Sequence, residues 1–119
     1  MTMLLTPENR HVEIVAVAPA AQASTSTAAV VAGSAVDARP WGSLAYTIAI
    51  ATQAVAWWVY GAHASDFSDE VIVDGPSNVA AAATDTYTVA PPPYAYYRVK
   101  IQDQVSGTHG TATVRGILK

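Results

Sequence analysis

The chain has 119 residues, a net charge of −3 and no cysteine. That length carries one domain with a core of its own. The missing cysteines exclude disulfides and thiolate metal sites, and the absence of a basic excess excludes the electrostatic footprint of a nucleic-acid binder. Only 13% of residues are charged, against roughly 25% in an ordinary soluble domain. A surface this poor in charge reads as one covered in an assembly, because net charge near zero promotes association. A homo-oligomer, or attachment to a larger particle, is therefore expected.

The first ten residues, "MTMLLTPENR", read as an N-terminal arm, with a single domain over 11–119. The start does not read as a signal peptide, since its apolar run is short and Glu8 and Asn9 follow at once. Met3, Leu4 and Leu5 form an apolar patch closed by Thr6-Pro7 and have no alternation of their own. They are candidate interface residues, expected to dock on a neighbouring subunit. The other use for them is to tuck into the mouth of their own domain.

From His11 onward the apolar pattern has period two, the signature of strands with one buried face. In "HVEIVAV" Val12 and Ile14 share a face. The Ala/Ser/Thr-rich stretch that follows predicts one strand around Thr27–Ala32 between two loops. Trp41–Ala64 has no Asp, Glu, Lys or Arg and is long enough for a membrane span. Its strict alternation and the Thr52-Gln53 break predict a two-strand hairpin instead. One strand places Leu44, Tyr46, Ile48 and Ile50 together; the other places Val55, Trp57 and Val59 opposite Trp58 and Tyr60. "EVIVDGPSN" predicts a short strand closed by a turn at Asp74-Gly75-Pro76. "DTYTVAPPP" points Tyr87 and Val89 inward and stops at the prolines, which cannot continue a central strand. "YYRVKIQ" buries Tyr97, Val99 and Ile101 and turns Tyr96, Arg98, Lys100 and Gln102 outward. "TATVRGILK" aligns Ala112, Val114, Gly116 and Leu118. Seven to nine short strands with regular turn signals predict an all-β protein with little helix. The fold is an antiparallel β-sandwich, jelly-roll or Ig-like.

Little in the chain carries chemistry. His11, His63 and His109 are scattered, with no metal-ligand spacing among them. Asp66, Asp69 and Glu70 crowd the "SDFSDE" segment, but without the order or glycine of a calcium loop, so a solvated loop is expected. There is no G-x-S-x-G and no P-loop. The expectation is a protein that is not an enzyme and has no cofactor and no metal. The aromatic residues are the remaining asset. Alternation sends some rings to the core and leaves Trp41, Trp58, Tyr94 and Tyr96 as candidates for an interface, where Trp and Tyr are enriched, or for a sugar platform.

The segment "WWVYGAHASDFSDEVIV … TYTVAPPPYAYYRVKIQDQVSGTHGTATVRGILK" resembles small structural proteins of tailed-bacteriophage virions, in particular head decoration (cement) proteins. The resemblance rests on a W-x-V-x-G-A strand, the acidic S-D-F loop, the Y-x-Y-Y-R-V-x-I strand and the G-T-x-G-T-A-x-V-R-G-I-x-K end, and it covers 57–119. It implies a capsid decoration subunit made in the host cytoplasm and carried on the virion. Its partners would be the major capsid protein or other virion subunits, with neither nucleic acid nor membrane involved. A collar, head–tail or tail subunit is the alternative within that class. A carbohydrate-binding β-sandwich module is the alternative from another class.

Overall fold

The computed structural model describes residues 12–18, 29–51, 53–104 and 112–119. Among these residues there are eight strands and no helix: β1 (Val12–Ala18), β2 (Val30–Asp37), β3 (Leu44–Ile50), β4 (Val55–Ala62), β5 (Val71–Val79), β6 (Thr84–Val89), β7 (Tyr96–Asp103) and β8 (Ala112–Leu118). They form two four-stranded sheets, ordered β1-β8-β3-β6 and β2-β7-β4-β5.

The pairing is nested. β1 pairs with β8, β2 with β7, β3 with β6 and β4 with β5, all antiparallel. Rolling that double ribbon up adds the β3–β8 and β4–β7 pairs. This is the jelly-roll winding and not the Ig-like one.

Period-two alternation builds the core. β3 reads buried and half-buried in strict turn, and β8 keeps the same parity. Leu44, Ile48, Val114 and Leu118 of one sheet, and Val55, Trp57, Val59, Tyr97 and Val99 of the other, belong to one apolar cluster. Burial of each such side chain contributes about 1.5–3 kcal/mol, so these two inner faces hold the sandwich shut.

Three sequence expectations are corrected. β3 and β4 are not a hairpin: they lie in opposite sheets. Each is a central strand whose two edges are bonded by strands from elsewhere in the chain, β6 and β8 for one, β5 and β7 for the other. The second strand extends past the expected Thr27–Ala32, whose Thr27 and Ala28 lie outside the described residues. β2 starts at Val30 and runs on to Asp37, with its register slipping between Ala32 and Val36. The Asp74-Gly75-Pro76 signal does not end a strand, because it lies inside β5. The β4–β5 register shifts between Trp57 and Val59 and again between Val59 and Tyr60, and Gly75 takes φ +107°. β5 is an edge strand, where a proline without an N–H is tolerated and a bulge absorbs the extra residue.

Candidate functional site

One end of the sandwich gathers the connections β2–β3 (38–43), β4–β5 (63–70) and β6–β7 (90–95). Backbone bonds tie this end together. Ala38 N–H donates to the Ala95 carbonyl at 2.8 Å, and Gly42 and Ser43 N–H both donate to the Lys119 carbonyl at 3.0 and 2.9 Å.

The candidate residues fall at different depths. Met3, Leu4 and Leu5 lie outside the described residues. Trp41 is in the core cluster at 9% exposure, and its N–H donates to the Ala38 carbonyl. Tyr94 is half-buried against that cluster. Its ring stands edge-on to Tyr97 and 5.1 Å from His63, and its N–H donates to the Tyr97 hydroxyl. Gly61 makes room for it, because a Cβ there would lie 2.7 Å from the Tyr94 ring. Tyr96 and Trp58 are half-buried on the outer face of the β4–β7 sheet.

That outer face is a layer of rings under cations. The Arg39 guanidinium lies 5.1 Å over Tyr96, Arg98 lies 4.3 Å over Phe67, and the Lys100 ammonium lies 4.3 Å over Tyr60. Phe67 and Tyr96 meet edge to face at 6.4 Å. Glu70 bridges Arg98 and Lys100 at 2.7 and 2.8 Å. Partial burial pushes the Glu70 carboxyl up, but the hydrogen bonds from Lys100 and Arg98 and their charges outweigh it and hold it below its ordinary value.

The acidic loop is built for structure. Asp69 accepts from the His63 and Ala64 N–H groups, and Asp66 accepts from the Ser68 N–H. These backbone donors hold both carboxyls below the usual carboxylate range. Among the described residues no group of three His, Cys, Asp or Glu side chains converges for a metal ion.

Beside this face runs the free edge of β5. Val71 and Ile72 are 42% and 53% exposed, the large apolar side chains most open to solvent among the described residues. Among the described residues no strand lies beyond their edge. Sequence reasoning passed over them and over Phe67. The signal present was the unbroken Val71-Ile72-Val73 run: alternation cannot bury three consecutive apolar side chains on one face. This end of the molecule offers recognition chemistry: an open strand edge, an apolar pair, and a ring face with fixed charges.

Comparison of the chain with protein-family models, with curated proteins and with solved structures found no match.

Proposed function

We propose that this protein is a non-enzymatic structural subunit whose work is attachment, and that its place is on a tailed-phage particle as a head decoration subunit. The observation that carries the attachment reading is the pair Val71–Ile72, exposed on the edge of β5 that no strand among the described residues pairs. An open edge presents unpaired N–H and C=O groups and is a template for a strand from another chain. The apolar pair adds burial at that contact. Pro76 confines such pairing to the first half of the strand. The ring-and-charge face alongside supplies aromatic and arginine groups of the kind enriched at interfaces.

The virion assignment is supported by the sequence resemblance over 57–119. Jelly rolls also serve in capsid and lectin domains, but a fold by itself does not assign a role. Partners on this reading are the major capsid protein, other virion subunits, or further copies of the chain. A collar, head–tail or tail position would use the same surface.

The test is reattachment to purified particles stripped of the protein, with Val71→Lys/Ile72→Lys beside the unmodified chain. The expected result is saturable binding by the unmodified chain and loss of binding by the variant, with melting temperature unchanged. Equal binding by both would remove the β5 edge from the contact. Absence of the protein from native particles, seen by imaging or mass spectrometry, would remove the virion assignment itself.

A further inference from the structure

The first half of β5, from Val71 to Asp74, is an edge with no partner strand among the described residues. Natural edges are often blunted by a lysine, a proline or an inward-pointing charge, and Val71, Ile72 and Val73 carry none of these. Acids stand at the two ends instead. Asp66, Asp69 and Glu70 lie in the 63–70 connection that leads into the strand, and Asp74 follows the apolar run. Glu70 is held by Arg98 and Lys100 at 2.7 and 2.8 Å. Asp66 and Asp69 are exposed and Asp74 is half-buried. Among the described residues none of these three pairs with a Lys or an Arg. The edge is therefore apolar in the middle and negative at both ends.

That charge pattern selects among occupants. Two copies pairing antiparallel about Ile72 would set Glu70 of each against Asp74 of the other. Pairing about the Val71–Ile72 bond would set Asp69 against Asp74. Like charges directly opposite destabilise a strand pair, so the edge discourages a second copy of itself. We propose that it takes an extended segment of a different protein, with an apolar residue at the centre and Lys or Arg two to three positions to either side. This rests on the reading of β5 as the attachment edge and names the chemistry of the partner. Ile72 is in register with Tyr60, which is in register with Arg98. The central side chain of the added strand extends this row and covers Ile72. In antiparallel addition, the residue two positions before the centre lies opposite Asp74, and the one three positions after it lies opposite Asp69. Opposite charges across a strand pair are stabilising. The pairing stops there, because Pro76 has no N–H to offer.

The test uses the full-length chain and two synthetic peptides, R-K-T-V-T-K-R and E-E-T-V-T-E-E. The basic peptide is expected to bind saturably and at least about ten-fold tighter than the acidic one, with nuclear magnetic resonance shifts centred on the amides of Val71 to Asp74. Its affinity should fall several-fold between about 50 and about 500 mM salt, as screening predicts. Ile72→Lys and Asp74→Asn should each weaken it with melting temperature unchanged. No binding, equal binding of both peptides, or shifts away from β5 would overturn the proposal. Self-association that Ile72→Lys abolishes and that excludes the basic peptide would also overturn it, and would assign the edge to a second copy. No particle enters this assay, so it fails separately from the attachment reading. Reattachment lost in Val71→Lys/Ile72→Lys with no preference between the peptides would remove the basic partner and leave attachment through β5 standing. Preference for the basic peptide without reattachment would support the basic partner and remove the particle.

Discussion

Trp57 on β4 donates its indole N–H to the Asp85 carboxylate on β6 at 2.9 Å, joining one sheet of the sandwich to the other. Trp57 is 1% exposed, and β6 is the edge strand of the facing sheet. Asp85 sits on the inward-pointing parity of β6, with Tyr87 and Val89. A carboxylate in that position is tolerated because an indole donor meets it there, and its second oxygen accepts from the Thr86 N–H. Asp85→Ala would leave a buried N–H without its acceptor, at a cost of about 1–3 kcal/mol. Chemical denaturation of Asp85→Ala, Trp57→Phe and the double variant should show a coupling energy between the two sites. Strictly additive losses would mean that the bond contributes nothing to joining the sheets.

Tyr46 presents the opposite case. Its hydroxyl is buried and has no hydrogen-bond partner among the described residues. Burial, with a smaller contribution from Tyr97, pushes the phenol far above its ordinary value. Among the described residues nothing compensates for its desolvation. Tyr46→Phe keeps the ring and removes that cost, so stability should stay level or rise by up to about 1–3 kcal/mol. A clear fall in the urea midpoint would show that the hydroxyl has a partner in solution.

Gly75 is required where it stands. Its φ of +107° is one that L side chains rarely adopt, and a Cβ there would lie 2.6 Å from the Trp57 carbonyl oxygen and 3.0 Å from the Trp58 Cα. Both neighbours are backbone and cannot swing aside. Gly75→Ala should destabilise by roughly 1–3 kcal/mol from the strained backbone alone. It should also disturb Trp58, whose ring would lie 3.3 Å from the new atom. Tryptophan fluorescence read together with the melting temperature checks both effects; an unchanged melting temperature would mean that the bulge relaxes freely.

The Glu70 bridge predicts a direction with pH. Its folded pKa lies below the ordinary value of 4.5, so the unfolded chain takes up the proton first. The stabilisation is fully present above that value and is lost as pH falls below it through the folded pKa. Melting temperatures measured between about pH 7 and about pH 3 should fall less steeply for Glu70→Gln than for the unmodified chain. Parallel curves would show that solvent screening already cancels the bridge.

The outer ring of β7 should be cheaper to lose than the inner one. Tyr97 is 0% exposed, whereas Tyr96 is half-buried on the other face. Tyr97→Ala is expected to cost about 3–5 kcal/mol, and Tyr96→Ala less. Equilibrium denaturation of the two variants gives the comparison, and the reverse order would contradict the register of β7.

The faces of the strands are legible in the amino-acid order alone. Tyr97, Val99 and Ile101 are buried on β7, as are Leu44, Tyr46, Ile48 and Ile50 on β3, because side-chain parity is a property of the local backbone and a one-residue slip inverts a whole face. Partner choice is not legible there. Nothing in Trp41–Ala64 says that its two strands part into different sheets, since that depends on β5, β6, β7 and β8 completing their edges. Asp74-Gly75-Pro76 reads as a turn by its own chemistry, and only the free edge of β5 lets it stay inside a strand. Glu70 reads as one more acid in a solvated loop until β7 brings Arg98 and Lys100 to it, 28 and 30 residues away. The open edge at Val71–Ile72 likewise exists only once β4 has found both its partners. Parity is set residue by residue, while pairing is set by contacts between segments far apart in the chain, whose outcome no single segment contains.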